Sequence, residues 1–215
     1  MHILQMEAEV LPLEDKWINN QVTLIGTLGG KPEFSHRSRD VAYYIFPLEV
    51  SRLSGALDQI NILVQEDLLE NLSLLELPKL MVEGQVRSFN NRSGVGHRLV
   101  ISVYATAISF VDAEDYNHLT LCGTLCKSPN LRKTPMGREI CDLLLAVSRP
   151  YGRSDYLPCI TWGQNAVEAA VWEVGQTVLL EGRMQSRKYL KQEGTQSIEK
   201  TAFEVSVVKQ ELSEQ

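Results

Sequence analysis

Two stretches of this 215-residue chain repeat each other in the same order. Residues 22–28, VTLIGTL, recur at 119–125 as LTLCGTL, and residues 48–52, LEVSR, recur at 145–149 as LAVSR. Further matches pair Pro32 with Pro129, Gly55 with Gly152, Asp58 with Asp155 and, with one residue inserted, Glu83-Gly84 with Glu181-Gly182. Because Gly26 recurs as Gly123, the offset is 97 residues. That period is too long for a solenoid unit of roughly 20–50 residues and instead predicts two copies of a small domain.

The repeat sets the domain boundaries. We place the first domain, copy one, at residues 17–111 and the second, copy two, at 116–210. The acidic stretch 112–115, DAED, is interpreted as the junction, and residues 1–16 as an N-terminal extension.

Each copy has mostly strand composition, rich in β-branched and aromatic residues. In copy one we predict strands at 21–28, 41–50, 59–64, 80–89 and 98–110, and a helix at 66–77 with leucines at helical spacing. In copy two the matching helix is predicted at 165–173, with Asn165 as its N-cap. Five strands with one helix before the fourth predict an all-β chain of two tandem OB-type barrels. Gly26 and Gly123 lie mid-strand, where such a barrel needs a sharp bend.

Composition indicates an ordinary globular protein. The net charge of −6 counts against a nucleic-acid partner, because such domains are commonly basic, but the distribution of charge matters more than its sum. No apolar run reaches the roughly 18 residues of a membrane helix, and residues 1–10 lack a basic secretory n-region. We therefore expect a cytoplasmic protein with no membrane contact.

All four cysteines lie in copy two, at Cys122, Cys126, Cys141 and Cys159. A disulfide framework is not expected in a chain of this size without a secretion signal. Because a strand-like segment suits a zinc knuckle poorly, we predict buried free thiols and no metal site. The sequence contains neither a phosphate-binding Gly-Lys-Ser/Thr loop nor a His-Glu-x-x-His motif, so we predict no enzyme and no cofactor.

Copy two resembles the single-stranded DNA-binding protein family, which includes the primosomal replication proteins. The segments that carry the resemblance are LCGTL at 121–125, TPMG at 134–137, LAVS at 145–148, ITWG at 160–163 and EGRMQSR at 181–187. The resemblance implies sequence-independent binding of single-stranded DNA in replication, repair or primosome assembly, nucleoid association, and replication or repair proteins as partners. Because the family commonly uses four barrels, it also implies a homodimer. The chain printed here ends without the acidic tail of better-known members, so we expect no recruitment by that route.

The family stacks bases on aromatic rings, which suits any sequence because every base has a π-face. Carried over by the resemblance, the rings of copy two are Tyr151, Tyr156, Trp162 and Tyr189. For Tyr156 and Trp162, packing in the core stays an open alternative. Basic residues cluster in what we interpret as three connecting loops of copy two, suited to contact phosphates: Arg132, Lys133 and Arg138; Arg149 and Arg153; Arg187, Lys188 and Lys191. Ordinary solvated loops are the alternative.

Copy one departs from this pattern of rings. The positions that match the four rings carry Ser54, Gln59, Gln65 and Asn91, and only Phe89 lies near a matching place. We therefore expect copy one to have largely lost its stacking platform and to serve structure or assembly. Secondary contacts to phosphate are assigned to Arg87, Arg92 and Arg98.

Two other functions stay open. The net negative charge and the missing rings of copy one favour a protein-interaction or assembly scaffold that has lost most DNA affinity. RNA binding is a third possibility, because OB barrels also bind RNA.

Overall fold

The computed structural model describes residues 19–70, 79–90, 99–193 and 196–213, and the chain there is almost entirely β-strand. The strands are β1 Asn20–Leu28, β2 Glu33–Ser38, β3 Val41–Ser51, β4 Leu57–Gln65, β5 Lys79–Asn90, β6 Leu99–Phe110, β7 Tyr116–Leu125, β8 Asn130–Lys133, β9 Glu139–Arg149, β10 Arg153–Trp162, β11 Thr177–Glu193 and β12 Gln196–Leu212. Two short helices, α1 Glu66–Glu70 and α2 Gln164–Ala169, follow β4 and β10. The predicted extension 1–16 and the residues Trp17, Arg92 and Arg98 lie outside the described residues.

Side-chain alternation explains why these segments form strands. Along β1, Val22 and Leu24 are fully buried, while Thr23 between them is partly exposed. Successive side chains of a strand point to opposite faces, so this alternation gives β1 one face toward the core and one toward solvent.

Each copy closes its strands into a barrel. In copy one the hydrogen-bonded order is β3-β4-β6-β5-β1, and β1 returns to β3 through Thr27 opposite Glu49 and Leu28 opposite Leu48. Copy two repeats the order with β9, β10, β12, β11 and β7, and β7 returns to β9. The predicted all-β class of two tandem five-stranded barrels is confirmed.

A sixth strand was missed in each copy. β2 pairs with β3 and β8 pairs with β9, each at an outer edge of the sheet. Every residue of both edge strands is exposed, so neither has the buried-exposed alternation by which a strand is recognised in sequence.

The helices match their predictions only in part. α1 begins at Glu66 as predicted, but residues 71–78 lie outside the described part of the chain. Gly163, not Asn165, is the N-cap of α2, and its φ of 59° favours glycine. The Asn165 side chain instead donates from Nδ2 to the Val208 carbonyl at 3.2 Å. Within the described residues, no helix is long and apolar enough to cross a membrane.

The two mid-strand glycines sit where each barrel closes. A Cβ at Gly26 would clash with the Glu49 carbonyl oxygen, and one at Gly123 would lie 2.9 Å from the Ala146 carbonyl oxygen. Glycine is therefore needed because the first strand passes directly against the third.

The copies join through their first strands. β1 pairs antiparallel with β7, and Val22 lies opposite Leu119, its own counterpart in the repeat. Buried residues of both barrels form one continuous hydrophobic core. This arrangement is that of a two-fold symmetric interface, built here within one chain. The boundaries 17–111 and 116–210 stay a proposal, and β12 extends to Leu212.

Candidate nucleic-acid interface

The outer face of β10 carries two of the predicted rings. Tyr156 and Trp162 are six residues apart, so the alternation of the strand places both on the same face, away from buried Leu157 and Cys159. Their exposed fractions are 47% and 37%. The structure therefore places neither ring in the core, which leaves both available to a ligand.

The other two predicted rings lie outside β10. Tyr151, in the connection between β9 and β10, is completely exposed. Tyr189 lies on β11 and is half-buried, with the Arg187 guanidinium 5.7 Å from its ring centroid. That distance suits a cation–π contact, which orders the ring from one side.

Most of the predicted basic residues lie on strands and not in loops, contrary to the sequence interpretation. Arg132 and Lys133 lie on β8, and Arg187, Lys188 and Lys191 lie on β11. Because β8 is fully exposed and β11 runs on into a long hairpin with β12, both segments looked like loops in sequence. Only Arg138 lies in a true turn, where its N–H donates to Thr134 Oγ1 at 3.0 Å.

Several of these cations already have carboxylate partners. Arg132 binds Asp142 through two hydrogen bonds of 2.6 and 2.9 Å, which lower the pKa of Asp142 and raise that of Arg132. The other pairs are Lys133–Glu139 at 3.7 Å, Arg187–Glu204 at 3.7 Å and Lys188–Glu199 at 3.0 Å. Such surface pairs are weak, so a phosphate can compete for the cation, but the net positive charge of this face is small.

Arg149 and Arg87 lie at the boundary between the copies. Both guanidinium groups bind the fully buried carboxylate of Asp155, Arg87 at 3.2 Å, and Arg149 also donates to the Ser88 carbonyl at 2.9 Å. The predicted contacts of Arg87 and Arg149 to phosphate stay predictions. In the structure, both arginines form contacts that link copy one to copy two. In the described part of the chain, no ion pair involves Arg39, Arg138 or Arg153.

Copy one carries a cluster of rings that the sequence comparison missed. His36 stacks on Tyr43, with ring centroids 4.7 Å apart and planes 3° apart, and Tyr104 lies 6.5 Å from Tyr43. Gln65 links the two tyrosines by donating to Tyr104 Oη at 2.6 Å and to Tyr43 Oη at 3.4 Å. The reduced role predicted for copy one stays a prediction, and these rings lie at positions other than the matching ones.

A signal for one of these rings was present in the sequence. Along β3, Phe46 and Leu48 point into the core of the barrel. Because side chains alternate along a strand, Tyr43 lies on the opposite face. No sequence pattern predicts that Tyr104 lies beside Tyr43, because this contact depends on the pairing of β4 with β6, two strands that are distant in sequence.

The cysteine prediction is correct in part. Cys141 and Cys159 are buried free thiols, and burial raises the pKa of Cys159 far above its ordinary value. Cys122 is half-buried and Cys126 is exposed, so the prediction was wrong for Cys126. The described residues contain no group of three or more His, Cys, Asp or Glu side chains that could hold a metal ion.

Comparison with known proteins identifies relatives for copy two and for the whole fold. Residues 116–212 match the single-strand binding protein family. Single-stranded DNA-binding protein B of Bacillus subtilis is 34% identical over 86 residues, which cover 37% of this chain and 76% of that protein. Single-stranded DNA-binding protein A of the same organism is 34% identical over 85 residues, covering 36% of this chain and 49% of that protein. This chain spans about half the length of the first curated relatives it matches.

Both copies together match one solved fold. The wild-type single-stranded DNA binding protein of Thermus aquaticus superposes with a TM-score of 0.75 at 23% identity, covering 91% of this chain and 93% of that chain. The deletion mutant of that protein gives a TM-score of 0.73 at 22% identity. At this identity the likeness establishes the fold.

Proposed function

Because this chain belongs to the single-strand binding protein family, as the sequence predicted, we propose that it binds single-stranded DNA without catalysis and without marked sequence preference. The observation that carries the proposal is the pair of exposed rings, Tyr156 and Trp162, on one face of β10. We propose that it acts in replication, repair or primosome assembly, with proteins of those processes as partners and in association with the nucleoid.

The geometry of β10 supports stacking. Six residues of strand, at about 3.3 Å each, separate the two rings by about 20 Å along one surface. Rings this far apart suit bases that are several nucleotides apart along an extended strand, and stacking is indifferent to base identity. Arg153 begins the same strand and, in the described part of the chain, has no carboxylate partner, so its charge is available to a phosphate.

Titration with oligo-dT tests the proposal. Binding should quench the fluorescence of Trp162, and the Trp162→Phe variant should lose that quenching while still binding, because phenylalanine keeps a ring. The logarithm of the affinity should fall linearly with the logarithm of salt concentration, by about 0.7 for every phosphate neutralised. Absence of binding at about 50 mM salt, where such complexes are strong, would refute DNA binding. An oligo-rU competitor that displaces most of the oligo-dT when present at a much lower concentration would assign RNA instead.

A scaffold role is the second candidate, and the ion pairs of copy two favour it. With Arg132 held by Asp142 and Lys188 by Glu199, little unpaired positive charge faces solvent there. A scaffold should show no salt-dependent affinity for oligo-dT, yet retain a replication or repair protein after nuclease treatment. Loss of that protein on nuclease treatment would instead mean that DNA joined the two.

We also propose a homodimer that assembles four barrels. Each copy leaves an exposed edge strand, β2 in copy one and β8 in copy two, and an unpaired edge can pair across an interface. Light scattering at micromolar concentration should give twice the 24.2 kDa mass of one chain. A mass of 24.2 kDa across that range would contradict the proposal.

A further inference from the structure

Two acidic side chains lie on the outer face of copy two, one on each side of β10. Asp142 of β9 lies opposite Ile160 of β10. By the alternation of the strand, Ile160 shares a face with Tyr156 and Trp162. Glu204 belongs to β12, which pairs with the other edge of β10. The two carboxylates therefore lie within the surface on which we propose that bases stack.

Each of these carboxylates holds an arginine. Asp142 accepts two hydrogen bonds from Arg132, at 2.6 and 2.9 Å. Glu204 lies 3.7 Å from Nε of Arg187 and accepts a hydrogen bond from Gln185 Nε2 at 3.1 Å. The Glu204 side chain is only 13% exposed, so these neighbours fix its position. We call the two acids and their two arginines the charge cluster, and its formal charges sum to zero.

The two ion pairs of the charge cluster also act on each other. Hydrogen bonds from Arg132 are the main cause of the lowered pKa of Asp142, and the positive charge of Arg187 contributes to it. Hydrogen bonding to Asp142 is the main cause of the raised pKa of Arg132, and the negative charge of Glu204 contributes to it. The four groups therefore share one electrostatic environment, in which the acids neutralise both arginines before any phosphate arrives.

Copy one carries neutral residues at the positions that match the two acids. The pairing of its third strand with its fourth matches Asp142 with Ile45. The pairing of its last two strands matches Glu204 with Ser102. Copy one closes the same order of strands without these acids. The barrel itself therefore does not require them, and they are a feature of the outer face of copy two.

We propose that Asp142 and Glu204 limit the affinity of copy two for single-stranded DNA, because each occupies an arginine that a phosphate would otherwise bind. The inference rests on the proposed function, since it assigns residues that tune the same binding face. A phosphate that binds Arg132 or Arg187 must displace a carboxylate, so the exchange adds little net attraction. Stacking on the rings then supplies most of the affinity of this face, and the dependence of that affinity on salt is shallow.

Substitution of Asp142 by asparagine tests the proposal without changing the size of the side chain. In Asp142→Asn, Arg132 is free to neutralise one phosphate of oligo-dT, so the slope of log affinity against log salt should steepen by about 0.7. If that contact contributes nothing at about 1 M salt, binding should tighten about 8-fold at about 50 mM and about 3-fold at about 200 mM. Glu204→Gln should act in the same way through Arg187. Anisotropy titrations over this range of salt measure both effects.

Two further variants separate an occupied arginine from a general effect of net charge. Glu181→Gln also removes one negative charge from an ion pair, that with Lys209 at 3.0 Å. The strand partners of Glu181 are Thr120 of β7 and Lys209 of β12, so this control should leave the affinity and its salt dependence unchanged. Adding Arg132→Gln to Asp142→Asn should abolish the tighter binding and the steeper slope.

Exposed ion pairs contribute little to stability, so all these variants should keep the melting temperature of the unmodified protein. If Asp142→Asn melts at a lower temperature, Glu204→Gln becomes the decisive variant.

The outcomes distinguish failure of this inference from failure of the proposed function. If the unmodified protein binds oligo-dT, and Asp142→Asn and Glu204→Gln bind it with the same affinity and slope, the acids do not limit binding and the proposed function stands. The inference is also overturned if Glu181→Gln tightens binding as much as Asp142→Asn does, or if the tighter binding survives Arg132→Gln. If neither the unmodified protein nor these variants bind oligo-dT, the proposed function fails and this inference fails with it.

Discussion

Tyr151 adopts a left-handed backbone conformation, with φ of 65° and ψ of 32°, and its side chain is completely exposed. A bulky residue seldom adopts this conformation, which costs about 1–2 kcal/mol relative to the right-handed region. No burial of the side chain offsets that cost. The strain is the kind found where a side chain is held out for a ligand.

Two substitutions at Tyr151 separate the ring from the strain. Tyr151→Ala and Tyr151→Gly should each weaken binding of oligo-dT by about 1–3 kcal/mol, the contribution of one stacked base. Only Tyr151→Gly should also raise the free energy of unfolding, by about 1 kcal/mol, because glycine adopts this φ without strain. Urea unfolding and anisotropy titration measure the two effects. Equal stability of the alanine and glycine variants would show that the backbone is not strained.

The junction between the copies is fastened to copy one. Asp115 accepts a hydrogen bond from the Ser51 N–H at 2.7 Å and pairs with Lys79 Nζ at 2.9 Å. Partial burial acts to raise the pKa of Asp115, but the bonds from Lys79 and Ser51 outweigh it and hold the pKa below its ordinary value of 3.8. The folded protein therefore favours the ionised carboxylate.

This lowered pKa predicts acid sensitivity at the junction. Because the pKa is lower in the folded state, the stabilisation is complete above 3.8, the unfolded value, and is lost as pH falls through the folded pKa. The melting temperature of the unmodified protein should exceed that of Asp115→Asn at pH 7, and the difference should shrink toward zero as the pH falls below 3.8 and through the folded pKa. Asp112→Asn, an exposed neighbour, is the control and should show no such trend. A difference independent of pH would contradict the assignment to the carboxylate.

Two buried carboxylates at matching positions, Asp58 and Asp155, link the two copies, each accepting a hydrogen bond from the other copy. Asp58 of copy one binds Arg52 at 2.6 Å and accepts a hydrogen bond from the Ser186 N–H of copy two at 2.7 Å. Asp155 of copy two binds Arg149 and accepts from the N–H of Ser88 in copy one. The network follows the same two-fold relation as the β1–β7 pairing, except that Arg87 adds a second cation at Asp155 alone.

The second cation at Asp155 predicts that substitutions of Asp155 and Asp58 lower the free energy of unfolding by unequal amounts. Breaking a buried ion pair typically costs about 3–5 kcal/mol, and partial exposure of the arginines favours the lower end. Asp155→Asn should destabilise the protein more than Asp58→Asn, because it leaves two guanidinium groups without a counter-charge. Urea unfolding of both variants measures the difference. If Asp58→Asn proved the more costly, the additional contact of Arg87 would not contribute to stability.

The family, the two copies and the all-β barrels could be predicted from the sequence alone. These features follow from local patterns: the repeat aligns the copies, and two-residue alternation assigns each side chain to a face. The exposure of Tyr156 and Trp162 is not of this kind: the sequence left packing in the core open for both, and Ile160, on the same face by alternation, is buried. The edge strand β8 escaped because all four of its residues face solvent.

The sequence did not show which cations lack a carboxylate partner or which rings contact each other, because both depend on contacts between distant strands. The sequence does not show which of Arg132 and Arg153 has a carboxylate partner. In the structure, the neighbouring strand β9 supplies Asp142 to Arg132, whereas none of the described carboxylates pairs with Arg153. Tyr43 and Tyr104 come within 6.5 Å through the parallel pairing of β4 with β6. Periodicity reports on neighbours along the chain. Contacts between distant strands depend on register and barrel closure, which no local pattern encodes.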